Sequence, residues 1–336
     1  MNTLKVGVIG LGIGQSHIEK YKQLAAVELV AVADANAERL ASNADARVRR
    51  YSSYEELCDD PDIDAVSICL PTFLHEPAAV RAFKKGKHVL CEKPLAHTAA
   101  AGERIVAAAR ASGKKFMMNL HLRFTPASTY IHALLESGEL GEVYYSFSSY
   151  LRQPRGIPTG IGGWFYKKAQ SGGGALLDNG VHLIDQQWYL MGCPKPAEAM
   201  GQTYNKFGSE LIGKEFDVED FATGMIRFEN GAALLFENAW ASVVQEPTHL
   251  LRVLGTKMGA TAQPFIVTRR HGGDCEQVKP EAIKTENPVE HFVRCIREDQ
   301  NPIVTPEQGW TLLKMIEALY RSAASGKSQR IRATLT

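Results

Sequence analysis

The sequence predicts an α/β plus α+β protein: an N-terminal doubly wound parallel sheet of the Rossmann type, then a C-terminal domain on a large, mainly antiparallel open sheet. Three observations predict it. The apolar run Leu4 to Ile9 breaks into the glycine turn Gly10-Leu11-Gly12-Ile13-Gly14 and leads into a helical pattern. Short apolar runs then alternate with helical stretches, the signature of βαβ units and right-handed crossovers. Beyond about residue 120 the runs lengthen and are separated by turns such as Asn230-Gly231, as in antiparallel hairpins. With 336 residues the chain has material for two domains, placed at 1–122 and 123–336.

Composition narrows the partners. Lys and Arg total 38 against 37 Asp and Glu, a formal charge of +1, so nothing marks the chain for nucleic acid or an anionic membrane. The expected partner is a small molecule. Six cysteines lie scattered without a C-x-x-C pair, which argues against a disulfide framework and against a zinc site. The first strand begins at Leu4, and no apolar run approaches the roughly 18 residues of a membrane span. These features set the expectation of a cytoplasmic protein with reduced thiols.

A glycine turn between a first strand and a helix lets the backbone approach a pyrophosphate, with the free N–H groups of the helix start as donors. Gly10, Gly12 and Gly14 run G-x-G-x-G, with Gln15 where the third glycine of G-x-G-x-x-G would fall. A helix is expected from Ser16 to Ala26 and a strand from Val27 to Ala33, ending at Asp34, 22 positions beyond Gly12. An acid there accepts from the adenosine ribose hydroxyls and repels a 2′-phosphate, which favours NAD over NADP. It also suits an N-cap for Ala35 to Ala41. Arg47, Arg49 and Arg50 would tolerate a 2′-phosphate if folded back, or else form a solvated face, so NADP stays open. Ser53-Tyr54-Glu55-Glu56 reads as a capped helix start. The strand Ile63 to Leu70 closes on Pro71-Thr72 and His75, facing the ligand crevice at the strand C-termini. A helix from Glu76 to Lys85 and the strand Lys87 to Leu90 lead to Cys91-Glu92-Lys93-Pro94, which brings Lys93 to the same rim.

With His17, Pro71-Thr72 with His75, and Glu92-Lys93-Pro94 in register behind the glycine turn, the chain resembles the Gfo/Idh/MocA oxidoreductases, the family of glucose-fructose oxidoreductase and inositol dehydrogenase. The resemblance implies that Lys93 lies beside the nicotinamide and the reacting hydroxyl, and that the following proline has a cis bond. It sets the cofactor along Gly10, Gly12, Ile13, Gly14, Asp34, Leu70, Pro71, Thr72, His75, Glu92 and Lys93.

In the second half, Ala99 to Ser112 reads as a helix and Lys115 to Asn119 as the last strand of the first domain. Arg123-Phe124-Thr125-Pro126 resembles the family's junction into the second domain; Asn119 and His121, two apart, suit either a substrate contact or a satisfied core position, and His121 and Arg123 are carried as substrate contacts. A helix over Thr129 to Ser137 precedes strands at Val143 to Leu151, Glu219 to Phe228, Ala232 to Ala241 and His249 to Leu254. One sheet face would pack on helices; in this family the other is covered by a second subunit, which implies a homodimer or homotetramer.

Chemistry concentrates in Ser171-Gly172-Gly173-Gly174-Ala175-Leu176-Leu177-Asp178-Asn179-Gly180-Val181-His182. Asp178 and His182, four apart, share one face of a helix. A carboxylate beside an imidazole suits a general base that takes a hydroxyl proton while hydride leaves the carbon. The glycines would leave space for a flat ring. The pattern resembles the family's G-G-G-x-x-x-D-x-G-x-H, whose catalytic lysine, aspartate and histidine map onto Lys93, Asp178 and His182. Asp185 reads as a supporting or exposed acid. No second histidine or cysteine completes a metal set, so no metal is expected. The loop from Arg152 and Arg155 to Gly162-Gly163-Trp164 fits a sugar platform, with Trp164 stacking on the sugar's C–H face; Arg152 and Arg155 suit an anionic substrate instead, and the plain alternative is a surface loop whose Trp164 packs into the core. Helices close the chain at Asn287 to Glu298 and Pro306 to Ser325, the last expected to pack back on the first domain.

The expected activity is hydride transfer between NAD and a secondary alcohol of a sugar, sugar derivative or cyclitol. Two rivals stand beside it: a glycoside hydrolase that oxidises its substrate transiently with a recycled NAD, and a non-catalytic NAD(H) sensor.

Overall fold

The structure, a computed structural model, describes residues 3–42 and 45–332. The outer limits of the expected domains, residues 1 and 336, lie outside the described residues. In the first unit the short apolar runs become six parallel strands: β1 (Leu4–Ile9), β2 (Val27–Ala33), β3 (Arg49–Tyr51), β4 (Ala65–Ile68), β5 (His88–Cys91) and β6 (Phe116–Met118). Their order is β3-β2-β1-β4-β5-β6. Helices occupy Gly14–Lys22, Ala37–Ser42, Tyr54–Asp59, His75–Lys84 and Ala99–Ser112. β4 is wholly buried and β5 all but its first residue, which is why both read as apolar runs without alternation. The order reverses between β1 and β4, and a doubly wound sheet leaves its ligand crevice there, beyond the strand C-termini. Ser53 and Thr98 cap their helices by accepting from the backbone N–H of Glu56 and Ala101.

This unit is not one stretch of chain. It takes in residues up to 120 and then 286–310, so the helix Pro288–Arg297, assigned from sequence to the second domain, belongs to the first. Asn287 and Glu290 form its capping box, and Val289, Phe292, Val293 and Cys295 are its buried apolar face. The helix Pro306–Ser325 begins in this unit, where the Trp310 indole donates to Ala99 O at 3.1 Å, and continues in the second.

The second unit, residues 121–285 and from 311 on, is built on nine strands. They are β7 (Val143–Leu151), β8 (Pro196–Tyr204), β9 (Phe221–Phe228), β10 (Ala233–Ala239), β11 (Thr248–Gly255), β12 (Met258–Gln263), β13 (Ile266–His271), β14 (Asp274–Val278) and β15 (Gln329–Arg330). The order is β14-β13-β12-β11-β7-β10-β9-β8-β15, antiparallel except for β7 beside β10, which run parallel. Alternation of side chains shows a strand's faces and not its direction, so this parallel pair was invisible in the sequence. One sheet face is covered by the helices Val181–Leu190 and Pro306–Ser325: Ser148 donates to Gln187 at 2.8 Å, and Gly201 and Gly224 lie against Leu319. Among the described residues no helix is long and apolar enough to cross a membrane, and all six cysteines are free thiols.

Candidate active site

In the first unit the three turn glycines divide the work. Gly10 has φ +88°, and a Cβ there would stand 2.4 Å from the Cys69 carbonyl oxygen, so the turn itself requires glycine. A Cβ on Gly14 would meet Val8 at 2.9 Å, so the helix lies directly on β1. Gly12 is different. The nearest atom to its Cβ position is Arg39 Nη1 at 3.7 Å, which leaves the backbone open to a ligand. Tight turn, close approach and helix packing are the tasks of G-x-G-x-x-G, and here Gly14 does the packing from one position earlier, leaving Gln15 exposed. Asp34 ties this turn to the end of β2, accepting from Leu11 N at 2.7 Å and Asn36 N at 2.8 Å. Arg47 pairs with Asp45, and Arg49 with Asp60 and Asp62. The cation beside Asp34 is instead Arg39, at 3.8 Å, which the sequence reading passed over.

At the ends of β4 and β5 lie Leu70, Pro71, Thr72, Glu92 and Lys93, with Lys93-Pro94 a cis bond. His75, expected on the cofactor, is buried and sets its ring nitrogens against Pro94 O and Leu70 O, both at 2.8 Å. Burial lowers its pKa, against the pull of those carbonyls. Its part is to bridge two loops, because both polar atoms are already engaged with backbone. Glu92 anchors a buried network. Its Oε1 meets His17 Nε2 at 2.9 Å and accepts from Asn119 Nδ2 at 2.6 Å, while His17 Nδ1 and Tyr21 Oη meet Ser67 Oγ at 3.1 and 2.9 Å. Burial pushes the Glu92 carboxyl up, but the hydrogen bond and charge of His17, the Asn119 bond and the Lys93 charge overcome it and hold the pKa at about 2. Asn119 Oδ1 is left buried without a partner. An open glycine turn and an orphaned acceptor fit a dinucleotide that brings its own donors.

In the second unit Asp178 sits in a π-turn, Leu176–Gly180, that runs into the helix Val181–Leu190 carrying His182. Such π-turns recur at functional sites. This one has identifiable anchors. Glu219 Oε1 accepts from Gly174 N at 3.0 Å, Leu176 N at 2.9 Å and Tyr320 Oη at 2.9 Å, and Asn238 donates to Ala175 O at 2.6 Å. Burial raises the Glu219 pKa against the pull of these bonds. The glycines were expected to make room for a ligand ring; the structure corrects this. A Cβ on Gly173 would fall 1.9 Å from Tyr320 Oη, and one on Gly174 2.0 Å from Glu219 O, so both exist for the chain's own closure.

The His121 ring meets His182 edge-on at 4.6 Å and 69°, so these two expected residues do come together. Asp178 Oδ2 accepts from the Trp240 indole N–H at 2.9 Å. Arg123, expected to touch substrate, is 1 % exposed and grips Asp185 with Nε and Nη2 at 2.6 to 3.2 Å. Its guanidinium has no surface to offer, and Asp185 is its buried counter-ion. Arg152 and Trp164 are half-buried: Arg152 lies under Gly156, and Trp164 meets Phe165 edge-on at 5.2 Å and 85°. Glu219, Tyr320 and Trp240 went unrecognised because their partners are distant in sequence; the signals were an acid opening a strand and a tryptophan closing one.

Comparison with known proteins bears on the family and the fold. The family model Gfo/Idh/MocA described as an oxidoreductase family with an NAD-binding Rossmann fold matches residues 4–120, and the model of its C-terminal alpha/beta domain matches 132–331. D-glucoside 3-dehydrogenase of Escherichia coli is 30% identical over 96% of both chains. Myo-inositol 2-dehydrogenase of Thermotoga maritima is 25% identical over 98% of both. The fold is shared with a solved levoglucosan dehydrogenase in complex with NADH, at TM-score 0.87 and 23% identity, covering 98% of this chain and 100% of that one.

Proposed function

The chain belongs to the Gfo/Idh/MocA oxidoreductases, and from that premise we propose that it is a cytoplasmic, homo-oligomeric NAD-dependent dehydrogenase that oxidises a ring secondary alcohol of a sugar, glycoside or cyclitol. The observation that carries the reading is the open backbone at Gly12, with Asp34 held at the end of β2 to meet ribose hydroxyls. The substrate class follows the relatives, named for a glucoside and an inositol, whose reacting carbons are ring CH–OH groups. Bound NAD supplies the hydride acceptor. Lys93 hydrogen-bonds the reacting oxygen and steadies its developing negative charge. His182, in its neutral form, takes the hydroxyl proton and returns it in the reverse reaction. Asp178 orients the imidazole and binds a neighbouring hydroxyl. His121, against the His182 ring, limits the tilts the imidazole can adopt. Trp164 offers a ring face to the sugar's C–H groups.

Steady-state kinetics test this on a panel of hexoses, glycosides, inositols and polyols, following NADH with NAD and with NADP. Lys93→Ala and His182→Ala should each lower kcat by about 100-fold or more, the usual range for losing a general acid or base. The double variant should be little worse than either, since groups acting on one proton transfer are not additive. NAD affinity of His182→Ala should stay within a few-fold of the parent chain. Full activity in both single variants removes the assignment, and glycoside cleavage without NADH accumulation replaces the activity.

A further inference from the structure

Trp240 follows β10 immediately and is fully buried, at 0 % exposure. Three contacts leave its ring no freedom. Phe165 stacks on it with centroids 5.4 Å apart and planes 25° apart, Phe216 meets it edge-on at 6.3 Å and 74°, and its backbone N–H donates to Asp220 O at 2.9 Å. Ile157, Tyr166, Val218 and Ala241 complete the apolar cluster around it. An indole carries one donor and no acceptor, so a ring held this way points its N–H in one direction. That direction is Asp178 Oδ2, at 2.9 Å. A carboxylate can turn about its last bond; one that accepts from a fixed donor cannot turn freely. On the indole face, Phe165 belongs to the turn Gly163–Tyr166 that also presents Trp164. One ring thus has the acid at its edge and the loop on its face.

We propose that Trp240 is a positioning residue for the reaction: its indole N–H holds the Asp178 carboxylate in the orientation catalysis needs, and its face seats the substrate loop through Phe165. The inference rests on the assignment of Asp178 and His182 as the acid-base pair. Two jobs on two parts of one ring make separable predictions. Trp240→Phe keeps a ring for Phe165 and removes the donor, so kcat falls about 10- to 100-fold while KM changes less than about 3-fold, the split expected when an interaction matters in the transition state. Trp240→His restores an N–H in the same region and recovers part of that loss. Phe165→Leu keeps the donor and loosens the loop, so KM rises with kcat nearly unchanged.

A measurement free of turnover accompanies these. In the intact 15N-labelled protein, with four tryptophans, one indole N–H signal moves when Asp178→Asn is introduced, because that change replaces a charged acceptor by a neutral one. This readout needs no Trp240 variant to fold. Asp178→Asn inactive with Trp240→Phe at parental kcat overturns the positioning role and leaves the dehydrogenase reading intact. No indole signal moving in Asp178→Asn overturns it equally. An active Asp178→Asn overturns the acid-base assignment itself.

Discussion

Gly12 and Gly174 are glycine for opposite reasons. A methyl group on Gly12 meets nothing of the chain closer than 3.7 Å, whereas one on Gly174 would lie 2.0 Å from a backbone oxygen of Glu219. Gly12→Ala should therefore leave stability within about 0.5 kcal/mol of the parent and weaken NAD binding severely, because the space it fills is the ligand's. Gly174→Ala should cost at least about 1–3 kcal/mol through overpacking, with a visibly lower Tm. Thermal melts paired with NAD titration separate the two, and a destabilised Gly12→Ala with normal NAD affinity contradicts the scheme. The sequence displayed both glycine groups equally well. It could mark the first as a phosphate turn because the strand, glycine turn and helix follow one another directly, even though the atoms that enforce Gly10 lie on distant Cys69. It misjudged the second because Gly173 is constrained by Tyr320, and no pattern within a few residues reports such a neighbour. Arg123 failed for the same reason: an arginine reads as a surface reader of anions until Asp185 is found beside it.

Elements whose limits depend on their own residues were legible. β1, β2, β7 and the helices Ala99–Ser112 and Pro306–Ser325 run between the residues expected, because apolar periodicity and a capping Thr98 decide them locally. The π-turn at Leu176–Gly180 was not, since the bonds that shape it come from Glu219, just before β9, and from Asn238 within β10. The end of β5 carries a pH consequence. Glu92 is held at about 2 against a usual 4.5, so its carboxylate form is favoured by folding. A depressed carboxyl contributes stability above the unfolded value and loses it as pH falls through the folded one. The gap corresponds to about 3 kcal/mol, fully present at neutral pH and lost between about 4.5 and 2. Denaturant unfolding from pH 6 down to pH ~2.5 should show this decline, and Glu92→Gln should be less stable at pH 6 and lose less on acidification. Parallel curves for the two chains would show that the network around His17 and Asn119 contributes no such term.

At the scale of the whole molecule, the nine-stranded sheet has more apolar surface than its own helices cover. Its register sets Met200 beside Met225, Met225 beside Leu235, Leu235 beside Phe147 and Phe147 beside the exposed, charged Arg252, so four apolar side chains form a lane across β8, β9, β10 and β7 that ends at Arg252 on β11. Met200 is 52 % exposed, and Met225, Leu235 and Phe147 are only partly buried. The opposite parity, Gly201, Gly224, Phe236 and Ser148, lies under helices. A contiguous apolar stripe on an open sheet calls for a cover, and a sheet face is large enough to meet the roughly 1,200 Å² or more of total area that a stable interface buries. In the proposed assembly a second copy of the chain would supply the same stripe, and two identical faces related by a twofold axis would bury it symmetrically. With a net charge of +1, long-range repulsion does not oppose the association. Light scattering at micromolar concentration should thus find a dimer or tetramer. Leu235→Lys or Met225→Lys, each placing a charge in the middle of the lane, should shift it to monomer while the far-UV spectrum holds, because at these half-exposed positions a lysine can reach solvent in the free chain and cannot in the assembled one. A monomeric parent chain, or a charged variant that assembles unchanged, assigns the stripe some other role and removes the twofold pairing from the account.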